Sequence, residues 1–401
     1  MPDINRRRFL LASAGAAGLA AAAGAAVTLP QIFDRAEQQP LPADAGILVI
    51  LTLYGGNDGL NTVIPYTDDA YYDARRNLAF GPDSAIDLDG VFGLNPALTG
   101  LSAAWHNDNL AIIRGVGYPK QDRSHFRSMD IWQSASPEDP TATGWIGRWL
   151  DAGGDDPLRA VNIGTILPPM AIGEKHVAAG LSATIPKMPD DMSMVLDAMS
   201  APDPHDTDAM AAVRADYRAY RTTDDTFRTF TDSPLPQTAA TDLGKQLADD
   251  LELVAQCVRA GVPTRVYMVS LGGFDTHANE RGDQQRLLTA LNDAVTPFLK
   301  QMRNSAYGRN VVTMIYSEFG RRVAANATQG TDHGTSGPVL IVGEPVRGGF
   351  YGDAPSLTDL QDGDLKTTTD FRDIYHELLD TTLGTDPEPS VGPGRKAVGF
   401  L

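Results

Sequence analysis

Five continuous apolar runs constrain the fold of this chain more than any other feature. Each run is five to eight residues long, and together they occupy residues 46–53, 110–116, 264–271, 310–316 and 339–343. Short runs without a polar face are typical of strands buried on both sides of a parallel sheet. Stretches with helical spacing alternate with them, at residues 96–107, 239–260, 283–305 and 369–383. This alternation predicts an α/β fold with a mostly parallel central sheet and helices on both faces.

The order of these runs also predicts how the 401 residues are organised. We expect a single α/β domain over residues 46–401, because one set of strands and helices spans that whole range. A Pro-containing stretch at residues 27–45 is predicted to be a linker. The segment 186–236, rich in Asp, Met, Ala and Thr, is predicted to be an insertion over the sheet.

The N-terminus has the features of an export signal. Residues 5–10 read NRRRFL and resemble a twin-arginine motif, and the small-residue apolar stretch 11–26 contains an Ala-Gly-Ala exit at residues 23–25. A charged region, an apolar region and a cleavage zone in this order predict a signal peptide over residues 1–26. An N-terminal membrane helix is the alternative, but the stretch is weakly hydrophobic, which disfavours a stable membrane span. We therefore expect recognition by the twin-arginine export machinery and a periplasmic or extracellular location.

Charge and cysteine content exclude some partners. The chain has 51 acidic and 33 basic residues, a formal net charge of −18. A surface of this sign repels nucleic acid and anionic membranes, so neither is expected as a partner. Cys257 is the only cysteine, so no internal disulfide can form. We interpret Cys257 as a small buried side chain on a helix.

Polar residues that carry chemistry follow or precede the predicted strands. Open α/β sheets bind ligands at the carboxyl ends of their strands, so these residues should meet at one edge. Carboxylate and imidazole groups together are a ligand set for divalent ions such as Zn or Mn. The candidates are Asp58, Asp275, His277, Glu318 and His333.

Some of these residues have a second, structural interpretation. Asp58 lies in a Gly-rich turn and could cap it. Glu318 could form an ion pair with Arg321 or Arg322. Ser124 is predicted at the N-cap of a helix over residues 124–134, where it could either cap the helix or attack a phosphorus or sulfur centre. His125 could bind metal, act as an acid or base, or pack.

Six motifs together resemble a known family. They are the twin-arginine leader, GGNDGLNTVIP at 55–65, RSHF at 123–126, GFDTH at 273–277, SEFGR at 317–321 and TDHG at 331–334. The set resembles the exported bacterial family called domain of unknown function 1501, and the resemblance extends to DFRDIY at 370–375. That family is similar to the alkaline phosphatase and sulfatase superfamily, which implies an alkaline phosphatase-like, metal-bearing fold.

The resemblance also implies roles for individual residues. It implies Asp58 as the metal carboxylate of the first strand and Ser124 at the nucleophile position. It further implies Asp275, His277 and His333 as metal-site residues. The phosphatase pattern has an Asp-His pair where this chain has Glu318 and Phe319, and it spaces Asp and His more widely than Asp275-x-His277. These departures imply one ion, or none, instead of two.

Two functions follow as hypotheses. In the first, the protein is an exported metal-dependent hydrolase of small-molecule or polymer-linked phosphate or sulfate esters, with Zn, Mn or Ca as its cofactor. Ser124 and His125 would be catalytic, and Arg123 and Asn57 would bind the anionic ester. The alternative is a non-catalytic exported binding or assembly module that retains the fold. A metalloprotease or esterase is disfavoured because the chain has neither His-Glu-x-x-His nor Gly-x-Ser-x-Gly.

Overall fold

The structure is a computed structural model that describes residues 25–26, 29–138, 141–154, 156–164, 166–181 and 242–401. The predicted signal peptide therefore lies outside the described residues except for Ala25–Ala26. The predicted insertion at 186–236 lies entirely outside them. Within the described part of the chain, no helix combines the length and the apolar character needed to cross a membrane.

The described residues form a ten-stranded sheet with the strand order β1-β8-β7-β9-β2-β10-β11-β6-β12, in which β13 also pairs with β6. Every pairing is parallel except those of β11 with β10 and β6. The prediction of a mostly parallel sheet is confirmed. The strands are β1 Ala25–Ala26, β2 Ile47–Leu53, β6 Leu110–Gly117, β7 Ala160–Ile163, β8 Ala179–Leu181, β9 Val266–Leu271, β10 Val311–Ser317, β11 Gly337–Val342, β12 Gly349–Tyr351 and β13 Thr369–Asp370.

Strand β2 lies at the centre of the sheet because its sequence is apolar on both faces. All seven of its residues are buried. Val49 and Leu51 belong to one core cluster, and Leu48 and Ile50 belong to the other. This alternation between two cores is what a strand covered on both sides requires.

Helices cover both faces, as the sequence predicted. One core includes side chains from α3 Thr99–His106, α6 Asp242–Arg259 and α7 Glu280–Arg303. Cys257 is buried in this core on α6, as predicted. The second core is built from aromatic side chains of α4 His125–Ser134, α5 Trp145–Ala152 and α8 Phe371–Glu377.

Several elements differ from the sequence prediction. The segment 27–45, predicted as a linker, contains helix α1 Leu29–Gln38, whose Ile32 is only 1% exposed because it packs into the core. The closing helix ends at Glu377 and continues as a π-helical turn, Leu378–Thr382. The described chain also forms two further helices and a separate small sheet, namely α2 Asp69–Arg75, α9 Glu388–Val391, β3 Val63–Ile64, β4 Ile86–Asp87 and β5 Gly93–Leu94.

The reversed direction of β11 has a direct effect on the edge where a ligand would bind. The carboxyl ends of β2, β9 and β10 lie at one edge of the sheet, since these strands are parallel. Because β11 runs the other way, the loop that precedes it reaches this same edge. The fold therefore brings the residues after β9 and β10 together with those before β11.

Candidate metal centre

Three ligand-type side chains converge at this edge of the sheet. His125 begins α4, Asp275 follows β9, and His333 precedes β11. The Nε2 atoms of His125 and His333 lie 3.0 Å apart. Oδ1 of Asp275 lies 3.2 Å from Nε2 of His125 and 3.1 Å from Nε2 of His333. Among the described residues, these three form the one group with the spacing of a metal site.

The opposite nitrogens of the two imidazoles are held by hydrogen-bond acceptors. Nδ1 of His333 lies 2.8 Å from the backbone carbonyl of Arg123, which can only accept. Nδ1 of His125 lies 2.8 Å from Oε1 of Glu318, a carboxylate oxygen that also accepts from the Gly55 amide. Each Nδ1 therefore has an acceptor for its proton, and in the neutral form of each ring the lone pair lies on Nε2, which faces the other ring and Asp275. Histidine ligands of metals are oriented in this way.

The charges around the cluster shift its pKa values in different directions. The hydrogen bond to Glu318 raises the pKa of His125, although burial opposes this shift. Burial lowers the pKa of His333. Burial alone would raise the pKa of Asp275, but the hydrogen bonds from Arg321 and His333, together with the charge of Arg321, outweigh it and lower the pKa to about 2. Asp275 is therefore an anion at any ordinary pH.

The three distances are compatible with a divalent ion. Neighbouring ligand atoms that each lie about 2.1 Å from an ion are about 3.0 Å apart in an octahedral site and about 3.4 Å apart in a tetrahedral one. The observed separations of 3.0, 3.1 and 3.2 Å fall within this range. Two imidazoles and a carboxylate, with a carbonyl and a second carboxylate behind the imidazoles, form a donor set suited to Zn or Mn.

Arg321 was not predicted as a site residue, yet it organises the centre. Its side chain is fully buried and donates to Oδ1 of Asp275 over 2.7 Å. It also donates to four backbone carbonyls in the loops after β2, after β9 and before β11, those of Gly55, Gly56, Phe274 and Thr331. No local sequence pattern could have revealed this role, because the partners are main-chain oxygens far apart in the chain.

Glu318 lies behind His125 and not in the converging set. It is 2% exposed, and its Oε1 accepts from both Nδ1 of His125 and the backbone amide of Gly55. The structure therefore places Glu318, which was predicted to bind metal, behind His125, where it orients that imidazole. The predicted ion pair between Glu318 and Arg321 does not form, because Arg321 pairs with Asp275 instead.

His277 lies beside the centre. Its Nδ1 is 3.0 Å from Oδ1 of Asp275, and its ring centroid is 4.7 Å from that of His333. It is not one of the three residues whose ligand atoms all converge. Its half-exposed side chain instead borders a groove of about 630 Å³ that also includes Asp275 and the start of α7, where Arg286 and Leu287 form the wall.

Asp58 does not join the centre, which corrects the prediction that it binds metal. Its carboxylate is completely buried and forms a two-pronged ion pair with Arg75, with N–O distances of 2.5 and 2.9 Å. Oδ1 also accepts from the amide of Leu60 and so caps the following turn. The cation that neutralises Asp58 is supplied by α2 of the chain itself.

The predicted substrate-binding residues are occupied by other contacts. Asn57 is buried, and its side-chain amide bonds to Thr62 and Gln284. The guanidinium of Arg123 forms an ion pair with the buried carboxylate of Asp364. Both residues hold the loops around the centre in place, which corrects the expectation that they are free to bind an ester.

Ser124 occupies the N-cap position of α4, as predicted, but its side chain makes no capping hydrogen bond. It is exposed, and its amide donates to Oδ1 of Asp122 over 2.7 Å. Its two chain neighbours both serve the centre, Arg123 through its carbonyl and His125 through its ring. The serine hydroxyl is therefore accessible and adjacent in sequence to a ligand-type residue.

These observations define an α/β protein with a candidate metal centre at the carboxyl edge of its parallel strands. The chain belongs to the family described as Protein of unknown function (DUF1501), which matches residues 175–395. The family predicted from the sequence motifs is thus confirmed. No curated protein matches the chain.

Solved structures with a similar fold include proteins of the alkaline phosphatase superfamily. A member of that superfamily from Vibrio parahaemolyticus is 12% identical with a TM-score of 0.40, over 93% of this chain and 80% of the other. The C-terminal periplasmic domain of EcEptC from Escherichia coli, in complex with zinc, is 10% identical with a TM-score of 0.37, over 76% and 77%. A phosphonate monoester hydrolase from Silicibacter pomeroyi is 11% identical with a TM-score of 0.38, over 88% and 75%. With every TM-score below 0.5, these likenesses do not bear on activity, which depends on the side chains of the site.

Proposed function

We propose that this protein is an exported metal-dependent hydrolase of phosphate or sulfate esters. One observation carries the metal-dependent part. Two Nε2 lone pairs and an ionised Oδ1 converge within 3.0 to 3.2 Å, and each imidazole already uses its Nδ1 proton elsewhere. Arg321 also donates to this Oδ1, and a divalent ion would accept the lone pairs of all three atoms at these distances.

His125, Asp275 and His333 would hold one divalent ion, with Glu318 and Arg321 fixing their orientation. When bound, such an ion polarises an ester oxygen and favours ionisation of a nearby hydroxyl or water. Arg321 keeps Asp275 negatively charged and oriented, and the carbonyl of Arg123 keeps the proton of His333 on Nδ1. Both contacts come from the protein's own groups and would hold the two side chains in the orientation that ion binding requires.

Ser124 is the proposed nucleophile. Its hydroxyl is exposed at the start of a ten-residue helix, where backbone amides and the helix dipole favour a phosphate or sulfate group. In the proposed reaction, the Ser124 Oγ–phosphorus (or –sulfur) bond forms while the bond to the ester oxygen breaks, and the alcohol leaves with the serine proton. Water then cleaves the new bond, which releases the inorganic anion and regenerates the serine.

The groove beside His277 gives the proposed substrate room beyond its ester group. It begins at Asp275 and His277 and extends along α7 past Asp283 and Arg286 to Leu287. A volume of about 630 Å³ is within the usual range of small-molecule sites. The groove supports an ester whose alcohol part is larger than a simple alkyl group.

Export is the second part of the proposal, and the leader sequence supports it. The twin arginines at residues 6 and 7 are followed by a small-residue apolar stretch and an Ala-Gly-Ala exit. Replacing both arginines with lysine should leave an uncleaved precursor in the cytoplasm, which cell fractionation would detect. Normal export of that double variant would overturn this part.

Elemental analysis of protein purified from the host periplasm is the first test of the metal. We expect about one divalent ion per chain in the wild type and little in His333→Ala. A panel of aryl phosphate, sulfate and phosphonate esters, assayed with added Zn, Mn or Ca, is the second test. Wild-type protein without stoichiometric metal would refute the metal centre.

A non-catalytic binding module is the second candidate function. The observation that favours it is the engagement of Asn57 with Thr62 and of Arg123 with Asp364, which leaves neither side chain free for an anionic ester. Metal-loaded protein that turns over none of the esters in the panel would favour this module over the hydrolase.

A further inference from the structure

We propose that Asn326 is a positioning residue that sets the metal affinity of the centre, a role that rests on the proposed function. Asn326 lies in the loop between β10 and β11, which also carries His333. It contacts none of the three converging side chains directly. Its side chain instead joins the two loops that present Asp275 and His333.

The amide nitrogen of Asn326 bridges these loops. Nδ2 donates to the backbone carbonyl of His277 over 2.9 Å, two residues after Asp275. It also donates to Oδ1 of Asp332 over 3.1 Å, one residue before His333. One NH2 group therefore links the two loops at a point different from the contacts of Arg321.

The amide oxygen of Asn326 stabilises a turn in its own loop, and this turn contacts the backbone carbonyl of His277. Oδ1 accepts from the backbone amides of Thr328 and Gly330, over 2.9 and 3.0 Å, and from the Thr328 hydroxyl over 2.8 Å. The Thr328 hydroxyl also lies 2.7 Å from the carbonyl of His277. With two acceptors at Nδ2 and two backbone donors at Oδ1, the amide has only one favourable orientation.

Gly330 shows how closely this loop packs on the neighbouring one. A Cβ at this position would lie 2.3 Å from the carbonyl oxygen of His277. The two backbones are therefore in direct contact, and a shift of the Asn326 loop would move the loop of Asp275 or separate it from His333. Because ligand atoms must stay near 3 Å apart, a small separation weakens an ion site strongly.

Asn326→Asp is the main test, because it keeps the size of the side chain and removes both donors. It also places a carboxylate opposite Asp332, which repels it. We expect the dissociation constants for Zn²⁺ alone and Mn²⁺ alone to rise by about tenfold or more, in the range seen when metal-site supports are removed. The measurement is competition for the ion between a chromophoric chelator and the whole protein as purified from the periplasm, well below its melting temperature.

Asn304→Asp is the matched control. The Nδ2 of Asn304 also donates to a backbone carbonyl, that of Lys300 over 2.9 Å, but at the far end of α7. This variant should bind both ions as the wild type does. Equal weakening in the two variants would mean that the effect is a general loss of stability, and it would overturn the role of Asn326.

Two further variants separate positioning from simple unfolding. Asn326→Asp combined with Asp332→Asn again sets an amide opposite a carboxylate across the same gap, so we expect partial recovery of metal affinity. Thr328→Val removes one bond to the His277 carbonyl and should weaken binding by less than Asn326→Asp. Wild-type affinity in Asn326→Asp would overturn this inference alone. Failure of the wild type to bind either ion would overturn the proposed function and this inference with it.

Discussion

Two aspartates at the same edge of the sheet have similar local sequences and opposite surroundings. Asp58 follows β2 after Gly-Asn, and Asp275 follows β9 after Gly-Phe. Asp58 is fully buried against Arg75, whereas the Asp275 side chain is 49% exposed and lies within 3.2 Å of three imidazoles. Position at a strand end therefore does not decide the role. What differs is whether the chain itself supplies a cation that fully satisfies the carboxylate.

The buried region is neutralised by further groups of the protein. Burial, together with the nearby charge of Asp58, raises the pKa of Glu280 to about 9, so Glu280 keeps its proton. Its Oε2 accepts from the Thr331 hydroxyl over 2.5 Å. Arg75 in turn donates to the carbonyl of Arg322. Asp58 is enclosed by groups of the protein, whereas Asp275 is half exposed and lies beside the imidazole nitrogens of His125 and His333.

The largest expected effect is on stability, from Asp58→Ala. Removing this carboxylate would leave the Arg75 guanidinium buried without its partner, which costs about 3–5 kcal/mol of the free energy of unfolding. Asp275→Ala should cost less in metal-free protein, because Asp275 is half exposed and the buried guanidinium of Arg321 would still donate to four backbone carbonyls. Denaturant unfolding of both variants checks this, and equal losses would show that the two aspartates share one structural role.

The stabilisation by metal should depend on the same two residues in the opposite way, because it requires Asp275 and not Asp58. Zn²⁺ at about 100 times its dissociation constant should stabilise the wild type by about 2.7 kcal/mol. We expect Asp275→Ala to lose this gain and Asp58→Asn to retain it. The measurement is the melting temperature with and without ion. A gain retained by Asp275→Ala would place the ion elsewhere.

A further effect on stability is expected from pH acting on Glu280. Its folded-state pKa of about 9 exceeds the ordinary value of 4.5. The folded state therefore holds a proton that the unfolded chain releases, and the stabilisation present below pH 4.5 is lost as the pH rises toward 9. Glu280→Gln keeps a donor on this side chain but cannot titrate, so its stability should change less between pH 5 and 9. Parallel pH profiles for wild type and variant would contradict this assignment.

The smallest effect on stability is expected from Ser124→Ala, next to the candidate metal centre. Since the Ser124 hydroxyl caps nothing, the free energy of unfolding should change by no more than about 0.5 kcal/mol. Ester turnover should nevertheless be abolished, while the content of bound metal is unchanged. Unfolding curves and initial rates test the two halves separately, and a fully active variant would remove Ser124 from the reaction.

Much of this arrangement could be predicted from strand ends alone. His125, Asp275 and His333 each lie next to a strand or helix start that the apolar pattern reveals, so their convergence was foreseeable. The arginine partners that distinguish the roles of the aspartates could not be predicted. Arg75 reaches Asp58 from α2, and Arg321 spans three loops to reach Asp275, contacts that depend on tertiary packing and leave no periodic signal.

The reversed direction of β11 is a second feature that the sequence pattern does not predict. An apolar run marks a buried strand but does not state its direction, because burial on both faces is equal for either direction. His333 reaches the centre only because β11 runs against its neighbours. Direction is set by the connecting loop, whose contacts are made largely by backbone groups and by Arg321.

The central position of β2 has a consequence for how the molecule is made. Its two neighbours in the sheet, β9 and β10, both come from the second half of the chain. During synthesis, β2 therefore emerges early and has neither edge covered until most of the protein exists. Long-range pairing of this kind is slow, and an uncovered apolar strand can pair with other chains. The nascent chain therefore exposes both edges of an apolar strand until the second half of the protein has been made.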